Sequence, residues 1–349
     1  MSVGGHPRNP AHGFSRGETT HDLFVRGHHT SPAQDFSRGG KANFMIHQYT
    51  PKQPQTLPNF SANPLLNDPT LYEPQPELVD AVNVALTLGL PLLLTGEPGT
   101  GKTELAKHLA WHYQLGELLR LNVQTTSTAT ELYYRYDALA HFQYNQNNPT
   151  ALSREELEKR FIRYQALGAA IVSQARRVVL LDEIDKAPRD LPNDVLAALE
   201  DLSFYVPELD KIHHAEAHNR PVIILTSNSE KNLPDAFLRR VAYHHIQFPK
   251  PEKLLAILSA KVPGYPAKKL QYLVDHFNDI REDSGLKMSK KPATAELIQW
   301  AYFLHEAGFD PAVLEQGKRN ADEQRVLQAA YAVLAKTRDD LEALRKRLR

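Results

Sequence analysis

The chain has 349 residues, enough for two domains and an additional segment. Forty-one basic residues balance 41 acidic ones, which argues against a nucleic-acid coat or a polybasic membrane binder. Cysteine is absent, so a disulfide framework, a thiolate zinc site and a cysteine nucleophile are all excluded.

Residues 1–60 hold 7 of the 17 glycines and 6 of the 16 histidines and show no helical or strand periodicity. They bury too little apolar surface to offset the entropy of ordering, so a flexible arm is expected. Within it a short pattern recurs as Phe14-Ser15-Arg16-Gly17, Phe24-Val25-Arg26-Gly27 and Phe36-Ser37-Arg38-Gly39. Each copy of this F-x-R-G repeat offers one aromatic ring and one cation, as a docking motif for a partner or a weak nucleic-acid contact would. A biased tail with chance repetition gives the same pattern. No basic start with an apolar core behind it marks a secretory signal, and no uninterrupted apolar run is long enough for a bilayer. A cytoplasmic protein is therefore expected.

From Asn63 the texture changes. Leu78, Val79, Val82, Ala85 and Leu86 fall at helical spacing, and Pro91 to Thr95 is an apolar run of the kind a buried parallel strand shows. The next eight residues, Gly96-Glu97-Pro98-Gly99-Thr100-Gly101-Lys102-Thr103, fit G-x-x-x-x-G-K-[ST] between that strand and a helix. Small residues let backbone N–H groups converge on phosphates at the positive end of the helix. Lys102 would then reach the β- and γ-phosphates, and the Thr103 hydroxyl would bind Mg²⁺.

Further strands are predicted at Leu118 to Val123, Arg177 to Leu181, Val222 to Thr226 and His244 to Phe248, with helical or loop-rich connections between them. That alternation predicts an α/β class with a five-stranded parallel sheet covered on both faces. The third strand runs into Asp182 and Glu183. At the carboxyl end of a parallel strand, Asp182 falls in the Mg²⁺ shell and Glu183 is placed to activate an attacking water. An N-cap pair for the next helix is the structural alternative. Pro249 and Pro251 mark a domain boundary, beyond which the chain reads helical.

With both elements in place, the chain resembles an AAA+ P-loop ATPase, and in detail its MoxR-like branch, from about Asn63 to Leu314. The residues that carry the resemblance are Val82-Asn83-Val84-Ala85-Leu86, Asp182-Glu183-Ile184-Asp185-Lys186-Ala187, Thr226-Ser227-Asn228 and Leu233 to Arg240. It implies an AAA+ core over 61–250 and a helical lid over 251–318, and the leucine spacing beyond predicts a C-terminal amphipathic helix over 319–349. The resemblance also implies ATP and Mg²⁺ as cofactors, with Asn228 as the sensor-1 residue. Arg240, with Arg239 beside it, matches the arginine finger that completes a neighbouring subunit's site. A solvated pair at a helix end is the plainer reading of these two arginines.

A finger in trans makes hydrolysis depend on assembly, so the resemblance implies a homo-oligomer, usually a hexamer. Such a ring would remodel or assemble a partner protein, one carrying a von Willebrand factor A domain in the MoxR-like case. A nucleic-acid-dependent motor of a restriction or defence system is the rival enzyme, and a nucleotide-gated scaffold the rival outside enzymology.

Two insertions fit this branch. Glu131 to Leu157 matches a helix-2 insert, in which Tyr133, Tyr134 and Tyr136 face the pore, or else Leu132, Tyr136 and Leu139 form a buried helix face. Tyr205 to Asn219 matches a hairpin preceding sensor 1, with His213, His214 and His218 read as surface histidines. One departure stands out: a sensor-2 arginine is expected near Pro292 to Glu296, where the sequence has alanine and threonine. Lys290 or Lys291 substitutes as a point charge, or the contact is missing. At the C-terminus Leu327, Leu334, Leu341 and Leu348 are seven apart, with Tyr331 and Leu344 on the same side, as in a helix packed on the lid or a short coiled coil.

The charge is unevenly spread. Residues 1–60 carry six cations and three anions, residues 61–250 carry eighteen and twenty-four, and residues 251–349 carry seventeen and fourteen. An acidic core weighs against a nucleic-acid motor.

Overall fold

The apolar run after Pro91 becomes a strand because both of its faces are covered: Leu92, Leu93 and Leu94 are each at most 1% exposed. A computed structural model describes residues 63–347 apart from 149, 189–198, 229–232, 287 and 318, together with Pro54 and Thr56. Apart from Pro54 and Thr56, the expected arm with its three F-x-R-G repeats lies outside the described residues, as does Leu348.

In chain order, α1 (Pro76–Leu88) leads into β1 (Leu92–Gly96), α2 (Lys102–His112) and β2 (Leu119–Asn122). An insert follows: α3 (Thr130–Tyr133), β3 (Tyr134–Tyr136), α4 (Ala138–Asn147), α5 (Arg154–Phe161) and β4 (Ile162–Tyr164). The core resumes with α6 (Ala166–Val172) and β5 (Val178–Asp182), then β6 (Ser203–Val206), β7 (Lys211–His214), β8 (Val222–Thr226), α7 (Asp235–Leu238) and β9 (Ala242–Ile246). Five strands form one sheet in the order β2-β5-β8-β1-β9, and every pairing is parallel.

Residue alternation splits the sheet between two apolar clusters. Leu93, Val179, Leu181, Ile223 and Leu225 pack with Leu167 and Ala170 of α6. Leu92, Leu94, Val178, Leu180 and Ile224 pack with Leu78 and Val82 of α1 and with Leu105 and Leu109 of α2. Each such buried side chain contributes about 1.5–3 kcal/mol. The fifth strand starts at Ala242, two residues before the expected His244, because its register with β1 opens at Leu92↔Ala242. Phe248 is left to leave the sheet and pack on the lid.

The insert departs from the pore-facing expectation and meets the buried-face one in part, with Leu132 buried and Tyr136 packed against the sheet cluster. Tyr134–Tyr136 and Ile162–Tyr164 pair as antiparallel strands, so a period of two, not a helical face, governs which side chains turn inward. Leu132, Tyr133 and Tyr134 are buried, with Tyr133 stacked on Phe204 at 4.8 Å, whereas Leu139 is 67% exposed. β6 and β7 form the antiparallel hairpin expected before sensor 1. His214 and His218 are exposed, but His213 is half-buried, stacked on Phe204 and 3.0 Å from the Tyr164 hydroxyl.

Beyond Pro249 the chain is helical: α8 (Pro251–Lys261), α9 (Ala267–Glu282), α10 (Thr294–Glu306), α11 (Ala312–Gln316), α12 (Ala321–Leu334) and α13 (Arg338–Arg347). They share an apolar cluster that includes Leu258, Phe277, Trp300, Leu327, Tyr331 and Leu344. In place of one helix over 319–349 there are two. Ala335 is extended, and the Thr337 hydroxyl then accepts the Asp340 N–H at 3.1 Å to start the second. Among the described residues no helix is long and apolar enough to cross a membrane.

Candidate nucleotide site

The carboxyl ends of β1, β5 and β8 are neighbours in the sheet, and they carry the phosphate-loop glycine Gly96, the acid Asp182 and the hydroxyl Thr226. In the loop that follows β1, Gly99 has φ +75°, and a Cβ there would lie 2.7 Å from the Ala293 Cβ of the lid. A Cβ on Gly96 would meet the Ile246 carbonyl oxygen at 2.5 Å. Only glycine allows the loop this path, which leads to the N-terminus of α2.

Lys102, the first residue of α2, is 8% exposed. Its Nζ donates to the Gly96 carbonyl at 2.7 Å, the Glu97 carbonyl at 3.0 Å and Asn228 Oδ1 at 3.0 Å. Burial lowers its pKa from the ordinary lysine value, and the nearby carboxylates Asp182, Asp185 and Glu183 pull the other way. The ammonium is thus held at the mouth of the loop, linked directly to the residue expected as sensor 1.

The acidic pair is fixed by neighbours far away in sequence. Asp182 receives a hydrogen bond on Oδ1 from the Thr226 hydroxyl and pairs through Oδ2 with Arg120 at 2.5 Å. Glu183 adopts φ 60° and ψ 48°, a left-handed conformation that costs a non-glycine residue about 1–2 kcal/mol. Its backbone N–H donates to the same Thr226 hydroxyl at 3.0 Å. The Glu183 carboxylate lies 2.6 Å from Lys186 Nζ, and that contact raises the Lys186 pKa. Asp185, in turn, accepts the Asn228 N–H at 3.4 Å.

These groups open onto a cleft of about 590 Å³, within the range of small-ligand sites. Pro98 to Thr103, Asp182, Glu183 and Asn228 line one part; Leu66, Leu71, Tyr72, Ile257 and Ile298 supply apolar wall. The Thr103 hydroxyl and the Asp182 carboxylate are hard oxygen donors, which suits Mg²⁺. The glycine cradle and the lysine suit a polyphosphate.

Two pairs of cations lie outside the cleft of their own chain, as the finger reading requires of the first. Arg239 and Arg240 follow α7, are exposed and do not line the cleft; Arg240 Nε pairs with Glu200 at 2.7 Å. Lys290 and Lys291 are exposed and also outside it, so neither supplies the sensor-2 charge there. Ala293 and Ala295 lie against Gly99, where a Cβ on the glycine would meet them at 2.7 and 3.7 Å. The lid charge that does reach the loop is Arg281 of α9, whose guanidinium pairs with Glu97 at 2.8 Å. Arg120 and Arg281 belong to no motif, and the sensor motif includes Thr226 without marking it as the anchor of Asp182 and Glu183.

Comparison with known proteins fits this geometry. Residues 91–241 match the model of the AAA domain of the dynein-related subfamily. The uncharacterized protein YehL of Escherichia coli (strain K12) is 27% identical over 242 residues, covering 63% of this chain and 62% of YehL. The chain thus spans under two thirds of that relative. Two structures of Thermotoga maritima RuvB, one titled as a Holliday junction branch migration motor and one of a point variant, superpose with a TM-score of 0.40 at 14% identity. Each covers 74% of this chain and 67% of its own. Residues 91–241 form an AAA+ ATPase-type domain.

Proposed function

We propose that this domain hydrolyses ATP with Mg²⁺, and that the chain works as a ring of copies, usually six, that remodels or assembles a partner protein. The observation that carries the reading is the convergence of Lys102, Thr103, Asp182, Glu183 and Asn228 on one cleft. Their order in the sequence alone would not require it.

Each side chain has a task that its chemistry suits. The loop N–H groups and Lys102 hold the phosphates. Thr103 and Asp182 hold Mg²⁺, which supplies a positive centre to draw charge from phosphate oxygens. Glu183 takes the proton of the attacking water, and the strained backbone at this residue is what aims its carboxylate. Asn228 orients that water without adding charge. Arg240, exposed and away from its own cleft, is free to reach a neighbouring copy's site, where such a guanidinium is worth about 10³–10⁵ in rate.

The MoxR-like resemblance adds a partner with a von Willebrand factor A domain. The acidic balance of residues 61–250 favours a protein over a nucleic acid.

The test is a pair of variants. Lys102→Ala should lose binding of a fluorescent ATP analogue, and retention of the parent's affinity would defeat the assignment. Glu183→Gln should bind ATP yet turn it over at least about 10²-fold more slowly. Affinity capture with that variant and ATP should then retain the partner on the ring.

A further inference from the structure

Arg281 is a lid residue with three partners outside its own helix turn. It is 8% exposed, and its guanidinium carbon lies 3.5 Å from the centroid of the Phe248 ring, in the connection between sheet and lid. One nitrogen donates to the Pro292 carbonyl ahead of α10, and another pairs at 2.8 Å with Glu97 in the phosphate loop. A cation this deep needs compensation, and here it is shared among the lid, the connection and the loop.

Other polar contacts of the lid lie away from the phosphate loop. Lys261 Nζ donates to the Leu65 and Leu66 carbonyls, and Lys253 pairs with Glu73 at 2.7 Å. These bonds hold residues 65–73, which are tied to α2 through Asn67 and Lys107 at 3.1 Å and through the Pro69 carbonyl and His108 at 2.9 Å. They fasten the lid to the outside of the core. Glu97 is where a lid cation meets the loop itself, beside the close contact of Ala293 with Gly99.

We propose that Arg281 is the positioning residue that couples lid orientation to the phosphate loop. It does so through Glu97, in place of an arginine at the start of α10. The proposal rests on the nucleotide-site reading above and deepens it. A planar guanidinium stacked on Phe248 has a fixed direction, so the ion pair sets an angle as well as a distance. Movement of Glu97 when the loop takes up phosphate is thereby transmitted to α9, with no direct contact between the lid cation and the nucleotide.

The absence of native cysteine makes this measurable. Cysteines introduced at the exposed positions Glu117 (core) and Lys268 (lid) accept spin labels, and pulsed electron resonance reports the lid–core distance distribution without nucleotide. Glu97→Gln, a change on an exposed loop that leaves the buried arginine intact, should broaden the distribution relative to the parent. Glu97→Asp, which keeps the charge, should return it toward the parent's width. A Gln variant as narrow as the parent, or an Asp variant no narrower than Gln, overturns the proposal. Failure of the parent to bind ATP, measured separately, would instead overturn the nucleotide reading.

Discussion

The Thr226 hydroxyl donates to the Asp182 carboxylate across two neighbouring parallel strands, and the same oxygen accepts the backbone N–H of Glu183 at 3.0 Å. One buried hydroxyl therefore holds both members of the acidic pair. It also compensates the left-handed backbone that carries the second of them.

Thr226→Val keeps the shape and removes the oxygen, leaving the Glu183 N–H without that acceptor. We expect a stability loss of about 1–3 kcal/mol in denaturant unfolding. ATP turnover should fall by a larger factor than ATP affinity, because Glu183 loses its aim while the loop and Lys102 are untouched. Unchanged stability and turnover would show that the hydroxyl is dispensable.

Arg120 occupies one of the two Asp182 carboxylate oxygens, so we expect it to compete there with Mg²⁺. In Arg120→Ala the half-maximal Mg²⁺ for fluorescent-nucleotide binding and for turnover should fall several-fold. The stability change should stay near about 1 kcal/mol, because the arginine side chain is half exposed. A rise in the Mg²⁺ requirement would make Arg120 a helper of metal binding and remove the competition.

Arg240 meets Glu200 as an exposed pair, so Arg240→Ala should alter stability by no more than about 1 kcal/mol. Its effect should appear in turnover, with ATP binding spared. Mixed with the Lys102→Ala variant, it should regain activity, since each chain supplies what the other lacks. Lack of complementation would confine Arg240 to its own surface.

His276 gives the lid a pH dependence. Its ring stacks with Trp300 and Tyr331, at centroid distances of 5.8 and 6.0 Å, and burial, aided by Arg347 and Arg319, pushes its pKa from 6.5 down to about 3. The folded lid keeps it neutral, while the unfolded chain binds a proton below pH 6.5. Its contribution is thus complete above that pH and is lost by about 1.4 kcal/mol per pH unit as pH falls toward 3. His276→Phe should flatten this slope in denaturant midpoints followed by Trp300 fluorescence. Parallel slopes for the variant and the parent would place the titration elsewhere.

What could be read from the residues in order was what local chemistry dictates. The phosphate loop is contiguous, and its glycines are demanded by positive φ at Gly96, Gly99 and Gly101. The three central strands β5, β8 and β1 were legible as short apolar runs, whereas the edge strands alternate or carry histidines, and the bounds of β9 were displaced. The contacts that tune the site join residues 44, 62 and 184 positions apart, namely Thr226 to Asp182, Arg120 to Asp182 and Arg281 to Glu97. No periodicity records such pairs. The pore-facing reading of the insert failed for a related reason: Tyr134 is buried in a strand paired with Tyr164, a partner that only the folded chain supplies.

The lid and the sheet keep separate apolar clusters; Leu66 and Phe248 pack on the lid's cluster, and the polar bonds that Arg281, Lys253 and Lys261 make across the joint are ionic or to carbonyls. Such a joint can exchange partners without opening a cavity, and its stiffness follows the screening of the solution, whose Debye length is about 8 Å at physiological ionic strength. Added salt should therefore soften the swing of the lid well before it disturbs either body.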